Sequence, residues 1–292
     1  MTQFLQQMIN GLSLGSIYAL VALGYTMVYG IIKLINFAHG DIYMLGAYIG
    51  FIVTTKLGLG FFPALVISMA GCALIGVTIE RIAYKPLRNA TRITALITAI
   101  GVSYFLEAGT QRVMGAGVQT FPNVLANETI MFGDVRISTQ QIVIFSVTIV
   151  LMVALTFLVN KTKVGRAMRA VSVDPDAARL MGVNVDATIS FTFAIGSALA
   201  GAAGVLVGLY YNSINPLMGM LPGIKAFIAA VFGGIGIIPG AMLGGFFIGV
   251  VETLVAGYWS SLWKDAVVYL ILIVILIVKP AGLLGKNVKE KV

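Results

Sequence analysis

Long apolar segments are the feature that most constrains this chain. Nine of them follow one another, at residues 8–32, 40–57, 60–80, 92–109, 139–160, 187–211, 223–236, 238–258 and 265–279. A helix needs about 20 such residues to cross a hydrocarbon core of about 30 Å. Lipid offers no partners for open backbone groups, so each crossing segment satisfies them internally as a helix. The sequence predicts an all-α, polytopic transmembrane helical bundle of eight or nine spans, in a single domain over residues 1–292.

The seventh segment, 223–236, is shorter than the others. At 1.5 Å per residue it reaches only about 21 Å, which is less than the thickness of the hydrocarbon core. We therefore expect this segment to be tilted or re-entrant, and to lie against neighbouring helices.

The amino-acid composition indicates a membrane protein and argues against disulfide-rich proteins, metalloproteins and enzymes. Hydrophobic residues make up 59% of the chain, charged residues only 10%, and the mean hydropathy is +0.99. One cysteine (Cys72) and one histidine (His39) exclude a disulfide framework and a Cys/His metal cluster, so we expect no metal site. They also leave little catalytic inventory for a membrane enzyme.

The positions of the positive charges predict the orientation, because Lys and Arg are retained on the cytoplasmic side. If loop 81–92 is cytoplasmic, 14 of the 19 Lys and Arg residues lie inside. The inner set is Lys33, Arg81, Lys85, Arg88, Arg92, Lys161, Lys163, Arg166, Arg169, Arg179, Lys279, Lys286, Lys289 and Lys291. The outer set is Lys56, Arg112, Arg136, Lys225 and Lys264.

This bias predicts a periplasmic N-terminus and a cytoplasmic C-terminus. It also predicts a long outer loop over 110–138 and an inner loop over 161–186. A membrane topology accounts for the net charge of +8, so we expect contact with membrane lipid and no nucleic-acid partner.

Small residues recur at a spacing of four in two of the apolar segments. The two stripes are Gly196, Ala200, Gly204 and Gly208 in the sixth segment, and Gly240 and Gly244 in the eighth. Small residues let helix backbones approach closely in a membrane. We expect these stripes to bury helix–helix contacts, within the chain or with a second membrane subunit, and pore lining is the alternative.

Ionisable residues at membrane depth are costly and are therefore candidates for function. Asp41, Glu107, Lys225 and Glu252 are the deep candidates. Lys225 lies near the outer start of the seventh segment and Glu252 near the outer end of the eighth. Because antiparallel neighbours bring these two ends together, we predict an ion pair, which either holds the helices together or belongs to a transport pathway.

The stretch NFAHGD interrupts the apolar pattern between the first two segments. It contains Asn36, His39 and Asp41. The carboxylate of Asp41 is expected to cap the helix that begins at IYMLGAY, which would make the stretch a structural break. The alternative is a gate at the inner end of a pathway, because Lys33 places this turn near the cytoplasm.

The segment 161–186 is far more polar than its surroundings. It contains eight charged residues, namely Lys161, Lys163, Arg166, Arg169, Asp174, Asp176, Arg179 and Asp186. Asp174 before Pro175 predicts a helix start, with Asp as the N-cap and Pro at the first helical position. Gly182 predicts its end.

A helix over 175–181 has only about two turns, and is too short to be stable alone in water. Leu180, Met181 and Val183 give it an exposed apolar edge. The pattern predicts docking, either on a partner or flat against the membrane part of this chain.

Three stretches resemble a known family. The stretch GRAMRAVSVDPDAARLMGVN is similar to the cytoplasmic EAA-like loop of ABC importer permeases. The stretches NGLSLGSIYALVALGYTMVYGIIKLINFAHGDIYMLGAY and INPLMGMLPGIKAFIAAVFGGIGIIPGAMLGGFFIGVVETL are similar to LivH-type permeases of high-affinity branched-chain amino-acid transporters. The resemblance covers nearly the whole chain and is most specific at NFAHGD and KAFIAAVFGGIG.

The resemblance implies an ABC importer permease fold in a bacterial inner membrane. It implies that a coupling helix to the ATPase is formed by Asp174, Pro175, Asp176, Arg179, Leu180, Met181 and Gly182. It also makes 36–48 and 223–245 part of the pore-forming core. Asn36, His39, Asp41, Lys225 and Glu252 are then the candidates for a pathway or gate.

The resemblance further implies the partners: a second homologous permease subunit, two cytoplasmic ABC ATPases and a periplasmic protein that delivers leucine, isoleucine or valine. The chain lacks a GxxxxGK[ST] motif, so ATP and magnesium are expected to bind to the ATPases, with no cofactor in this chain. Permeases for urea, amides or other amino acids share this layout and remain alternatives. An ion-coupled secondary transporter needs ion ligands or proton relays at mid-depth, of which the sequence offers few.

Overall fold

The computed structural model describes residues 2–88, 90–125 and 128–285, which are mainly helical. The helices are α1 (Thr2–Ile32), α2 (His39–Thr55), α3 (Phe61–Ile79), α4 (Arg92–Met114), α5 (Thr139–Lys161), α6 (Lys163–Val173), α7 (Pro175–Leu180), α8 (Val185–Tyr211), α9 (Met220–Gly233), α10 (Ile238–Tyr258) and α11 (Lys264–Val278). The prediction of an all-α polytopic bundle is confirmed, since all nine apolar segments are helices.

Within the described ranges, six helices are long and apolar enough to cross a membrane, namely α1, α3 with its continuation to Leu87, α4, α5, α8 and α10. The helices α2, α9 and α11 have 17, 14 and 15 residues. The 14 residues of α9 reach about 21 Å, so the seventh segment is short, as predicted.

Two small antiparallel strand pairs lie outside the helices. The strands β1 (Gln119–Thr120) and β4 (Ser213–Ile214) join the outer loop to the end of α8. The strands β2 (Thr129–Phe132) and β3 (Val135–Ser138) form a hairpin. The side chain of Gln6 holds this hairpin against α1, because it donates to Arg136 O and accepts from Arg136 N, both at 2.9 Å.

The core lies around α1 and α8. Of their apolar windows 78% and 83% are buried, against 33%, 22% and 28% for α3, α4 and α5. The helix α1 packs between α8 and α10, while α8 also packs on α2 and α3. The two central helices therefore organise the bundle, and α3, α4 and α5 present most of their surface to the surroundings.

The stripe of small residues on α8 is buried against three elements. Gly196 contacts Gly24 of α1, Gly204 contacts the backbone of α2, and Gly208 contacts the ring of an outer-loop phenylalanine. Ala200 is fully buried. These contacts all lie within the chain, so this stripe lines no pore in the single subunit.

The helix α10 uses small residues on two faces. Gly240 and Gly244 contact the backbone of α9, while Gly245 and Gly249 contact the backbone of α1. Because neighbouring positions on a helix point about 100° apart, the two pairs serve different neighbours. The helix α10 is thereby held between α1 and α9.

The connection from α1 to α2 turns back into the bundle. Lys33 is exposed and has a φ of +54°, and residues 33–36 are not helical. The His39 ring then contacts Gly24, eight residues before the end of α1, which corresponds to about 12 Å along that helix. The helix α2 therefore begins inside the bundle rather than at its inner edge.

The inner segment 161–186 contains two helices, although the sequence analysis predicted only the second. The helix α6 starts at the Thr162 side chain, which accepts from Gly165 N at 3.1 Å. Gly165, Met168 and Val171 are buried at a spacing of three, so α6 rests on the bundle through one apolar face. A spacing of three is typical of one face of a helix. The sequence prediction did not include α6, because the segment was interpreted from its many charged residues.

The C-terminal residues close the inner end of α9. Leu283 N donates to Phe232 O at 2.8 Å and Leu284 N donates to Gly233 O at 3.1 Å. The last carbonyl groups of a helix have no partner within the helix. Residues 279–285 supply these partners, so the ends of α9 and α11 lie together.

The close contact of α2 with α8 gives a stability prediction. A Cβ atom at Gly46 would lie 2.5 Å from Gly201 Cα, while a Cβ at Gly101 of α4 would meet nothing within 4 Å. Alanine gains about 1 kcal/mol of helix propensity at either position. We expect Gly46→Ala to lose about 1–3 kcal/mol by overpacking, and Gly101→Ala to be neutral or stabilising.

The measurement is the thermal unfolding midpoint of the purified full-length protein in detergent. A lower midpoint for Gly46→Ala alone is the expected result. Equal midpoints for the two variants would show that the contact of α2 with α8 tolerates a methyl group.

Candidate functional site

Polar side chains enter the apolar bundle at three places. We call them the outer ion cluster (Tyr18, Lys225, Glu252, Lys264 and Asp265), the mid-depth cavity (around Asp41 and Glu107) and the inner ion cluster (Glu80, Lys85, Arg88, Asp186 and Ser190). A fourth feature, the short helix α7, lies outside the bundle.

The outer ion cluster joins four helices. Lys225 Nζ lies 2.6 Å from Glu252 Oε1 and 2.6 Å from Asp265 Oδ1. The Tyr18 hydroxyl donates to Glu252 Oε2 at 2.8 Å, and Lys264 Nζ is 3.5 Å from Glu252 Oε1. The pairing of Lys225 with Glu252 is the one that the antiparallel arrangement predicts.

Charge is balanced in the outer ion cluster, with two ammonium groups facing two carboxylates. Lys225 and Glu252 are buried, and each has more than one partner. A buried ion pair survives desolvation when its remaining hydrogen-bonding capacity is also satisfied. Lys225 and Glu252 meet this condition, whereas Asp265 Oδ1 lies at ion-pair distance from Lys225 but has no hydrogen bond among the described residues. The cluster ties α1 and α9 to α10 and α11.

The three polar residues of NFAHGD lie deep in the bundle, but they do not share one partner. Asn36 Oδ1 accepts from the Tyr84 hydroxyl at 2.8 Å. The His39 ring packs on Tyr25, with ring centroids 4.7 Å apart. Among the described residues, Asn36 Nδ2, His39 Nε2 and Asp41 Oδ1 are buried without a hydrogen-bond partner.

The prediction that Asp41 caps α2 is wrong. The helix begins at His39, its N-cap residue is Ala38, and no side chain caps it. Asp41 is therefore the third helical residue and lies in the first turn, where the positive end of the helix dipole still favours a carboxylate. The helix begins three residues earlier than expected, which leaves this carboxylate free to face another element.

Asp41 faces the mid-depth cavity, which lies between α2, α4 and α9 and has a volume of about 290 Å³. Glu107 and Ser103 of α4 also line it, together with apolar side chains and the first residues of α9. The sequence analysis named Asp41 and Glu107 as deep carboxylates. It missed that they share a cavity, because 66 positions separate them in the chain and no local pattern relates the two helices.

The inner ion cluster links the end of α3 to the start of α8. The Arg88 guanidinium bridges the carboxylates of Glu80 and Asp186. Lys85 Nζ lies 2.9 Å from Asp186 Oδ2, and the Ser190 hydroxyl donates to Glu80 Oε2 at 2.6 Å. Glu80 is fully buried, at the start of a π-helical turn, Glu80–Tyr84.

The inner ion cluster was not predicted from the sequence, where Lys85 and Arg88 served only as markers of topology. Two acidic residues could have indicated ion pairs between the two inner loops. Glu80 lies just before the first inner loop and Asp186 lies at the end of the second. Both loops were expected on the same side of the membrane.

The caps predicted for α7 are present. Asp174 Oδ1 accepts from Asp176 N at 2.9 Å and from Ala177 N at 3.0 Å, and Pro175 is the first helical residue. Gly182 has a φ of +82°, the left-handed conformation that ends helices and favours glycine. The helix ends at Leu180, one residue before the expected end.

The apolar edge of α7 is open to the surroundings. Leu180 is 89% exposed and Met181 84% exposed, whereas Ala178 on the opposite face is buried against the bundle. Arg179 forms an exposed pair with Asp176 at 3.3 Å. Val183 differs from the prediction, because it is half-buried against the core and does not belong to the open edge.

Comparison with known proteins gives matches over almost the full chain. Residues 7–276 match the family model "Branched-chain amino acid transport system / permease component". The chain is 46% identical to the high-affinity branched-chain amino acid transport system permease protein LivH of Salmonella typhimurium, over 99% of this chain and 98% of that protein. It is 46% identical to the corresponding permease protein BraD of Pseudomonas aeruginosa, over 99% and 98%.

A more distant relative is the probable branched-chain amino acid transport permease protein LivH of Methanocaldococcus jannaschii, 30% identical over 94% of this chain and 90% of that protein. A solved structure, PsaBC from Streptococcus pneumoniae in complex with Fab, is 15% identical with a TM-score of 0.48, and the match covers 95% of this chain and 92% of that one. The family model and the bacterial relatives extend over both the membrane helices and the inner segment with α6 and α7. This chain therefore belongs to the family of permease components of branched-chain amino-acid ABC importers.

Proposed function

We propose that this chain is the membrane permease subunit of an ABC importer that carries leucine, isoleucine and valine into the cell. The observation that carries the proposal is the end-to-end identity of 46% to the LivH and BraD permease proteins. The short capped helix α7, with its open apolar edge, agrees with it.

The proposed assembly contains a second homologous permease, two cytoplasmic ATPases and a periplasmic substrate-binding protein. ATP and magnesium bind to the ATPases in this arrangement, and no cofactor binds to this chain. The excess of Lys and Arg in the inner loops supports a cytoplasmic α7 and C-terminus, a periplasmic N-terminus and a bacterial inner membrane as the location.

In the proposed mechanism, α7 receives the movement of the ATPases. Leu180 and Met181 enter a groove on the ATPase, and Asp174 keeps the helix formed by satisfying two free amides at its start. Only residues 181–184 separate α7 from α8, and the side chain of Asn184 caps α8 by accepting from Ala187 N at 3.0 Å. This short connection transfers a displacement of α7 to α8.

The inner ion cluster then transmits the displacement from α8 to α3. Arg88 links Asp186 in the first turn of α8 to Glu80 at the end of α3, so these two helices move together. The helix α8 also contacts α1 and α2 through close glycine contacts. Packed helices of this kind move as rigid elements, which suits rocking between outward-open and inward-open states.

The five candidate pathway residues divide into two groups. Lys225 and Glu252 are paired on all sides, so we assign them to holding the helices together. Asn36, His39 and Asp41 retain buried polar atoms without partners among the described residues, and these three belong to the pathway or its gate. Unsatisfied buried polar atoms are rare in proteins and are expected where a ligand or a moving element supplies the missing partner.

The open edge of α7 gives the test of the proposed function. In proteoliposomes with the second permease, the ATPases and the binding protein, we expect Leu180→Asp with Met181→Asp to reduce ATP-dependent leucine uptake at least about tenfold. Buried charge at an interface costs more than the 1.4 kcal/mol that corresponds to this factor. The matched control exchanges the two residues, Leu180→Met with Met181→Leu, and keeps uptake.

The uptake experiment includes urea and an ion gradient without ATP. Leucine uptake that needs ATP, exceeds urea uptake and is lost in the double Asp variant is the expected result. Normal leucine uptake by the double Asp variant would contradict the proposed coupling role of α7. Uptake by the chain alone under an ion gradient would indicate a secondary transporter.

The structural role of the outer ion cluster gives a second prediction. Lys225→Met leaves two carboxylates with one ammonium group, that of Lys264, which lies 3.5 Å from Glu252 Oε1, and we expect a loss of about 3–5 kcal/mol of stability. Combining it with Glu252→Leu restores the balance of one carboxylate and one ammonium group, so the double variant should be more stable than Lys225→Met. The measurements are thermal unfolding in detergent and leucine uptake per folded molecule.

Uptake by the double variant decides between the two roles. A folded double variant with normal uptake supports a structural pair. A folded double variant without uptake would mean that Lys225 and Glu252 take part in transport itself.

A further inference from the structure

The mid-depth cavity lies where α1, the turn before α2, α2, α4 and α9 meet inside the bundle. It lies beside the first turn of α2, the middle of α4 and the first turn of α9. Its volume of about 290 Å³ is close to the lower end of ligand pockets, about 300–1,000 Å³. Leu96 and Ile100 in its wall are 42% and 40% exposed, so the cavity opens to the surface of the chain and a small molecule can enter it.

Two buried carboxyl groups face the cavity. Asp41 is 2% exposed and Glu107 8% exposed. Among the described residues, Asp41 Oδ1 has no hydrogen-bond partner, and none of the side chains that line the cavity is a Lys, Arg or His. A buried carboxylate oxygen without a donor is costly. A ligand with a positive, hydrogen-bond-donating group removes this cost.

The first turn of α9 supplies the opposite polarity. Gly219, Met220 and Gly223 line the cavity, and α9 has no side-chain cap. Gly223 N donates to Gly219 O at 2.9 Å and Pro222 has no N–H, so the amides of Met220 and Leu221 are the ones without a partner within α9. They carry the positive end of the helix dipole. Gly219 lies against Asp41, because a Cβ atom there would be 2.9 Å from Asp41 Oδ1. A site for a carboxylate is therefore adjacent to a site for a cation.

The remaining wall is mainly apolar, apart from the hydroxyl-bearing side chains of Tyr25, Ser103 and Tyr104. Leu96 and Ile100 of α4 and Ile224 of α9 present branched aliphatic side chains, and Phe37 adds an aromatic ring. Apolar walls with a few polar groups that fix orientation are typical of small-molecule sites. The two carboxyl groups, the start of α9 and the aliphatic wall match the ammonium group, the carboxylate and the side chain of an aliphatic amino acid, respectively.

We propose that the mid-depth cavity is a transit site for a free aliphatic amino acid, with its ammonium group at Asp41 and Glu107 and its carboxylate at the start of α9. Leu96, Ile100 and Ile224 contact the side chain of the ligand. The inference rests on the proposed function and deepens it, because it places the passing substrate against named residues of this chain.

The test uses the complete transporter in nanodiscs without the binding protein, with radiolabelled leucine as the probe. Two analogues each lack one charged group: 3-methylbutylamine keeps the ammonium, and 4-methylpentanoate keeps the carboxylate. We expect saturable leucine binding, with stronger competition by the amine than by the acid. A carboxylate–ammonium contact is stronger than a contact to uncharged helix amides.

Substitutions connect the binding to the cavity. Asp41→Asn and Glu107→Gln keep the shapes of the side chains, and we expect each to weaken leucine binding about tenfold and to reduce competition by the amine. Glu128→Gln, at an exposed carboxylate of the outer loop, is the matched control and should bind like the wild type. Ligand-induced thermal stabilisation gives a second readout, since leucine should raise the unfolding midpoint of the wild type more than that of either variant.

The possible outcomes separate this inference from the proposed function. Absent saturable binding, equal binding by the Asp41 and Glu107 variants, or stronger competition by the acid would overturn the transit site. Each of these results leaves ATP-dependent leucine uptake by the complete complex intact. Loss of that uptake in the wild-type complex would instead overturn the proposed function.

Discussion

The close approach of helix backbones is the constraint on which the rest of the structure depends. No hydrophobic force separates helix from lipid, so the bundle is held by packing between surfaces that fit. Small residues on α1, α8 and α10 bring these backbones together, and the two faces of α10 fix α9 as well. The short helices α2 and α9 are positioned by this frame, and their first turns are held against each other at Gly40 and Gly219.

The polar groups inside this frame are of two kinds. Those of the outer and inner ion clusters form ion pairs that join neighbouring helices. Those of the mid-depth cavity and the preceding turn retain atoms without partners. Paired buried charges restrict movement because separating them is costly. Buried polar atoms without a partner favour a ligand or a moving element that supplies the missing hydrogen bond. We therefore assign the paired groups to holding the helices together and propose the unpaired groups for the transport pathway.

The route from α7 to the cavity is short and passes through rigid elements. The helix α7 leads into α8 after four residues, α8 contacts α2 at Gly201 and Gly204, and α2 carries Asp41 in its first turn. The helix α4, which forms the opposite wall, is the least buried of the six long helices. In the proposed mechanism, a displacement of α8 moves α2, which forms one wall of the cavity, relative to the loosely packed α4.

The sequence by itself determined the features that depend on neighbouring residues. Apolar runs predicted nine helices, of which six among the described residues are long and apolar enough to cross a membrane. Asp174-Pro175 and Gly182 predicted the ends of α7, and the stripe at Gly196–Gly208 predicted buried packing. Only the tertiary structure decided what depends on residues far apart: the return of the chain at His39, the shared cavity of Asp41 and Glu107, and the bridge at Arg88. Local patterns reflect hydrogen bonding and hydrophobicity within one helix. Contacts between helices depend on their relative rotation and depth, which no single segment specifies.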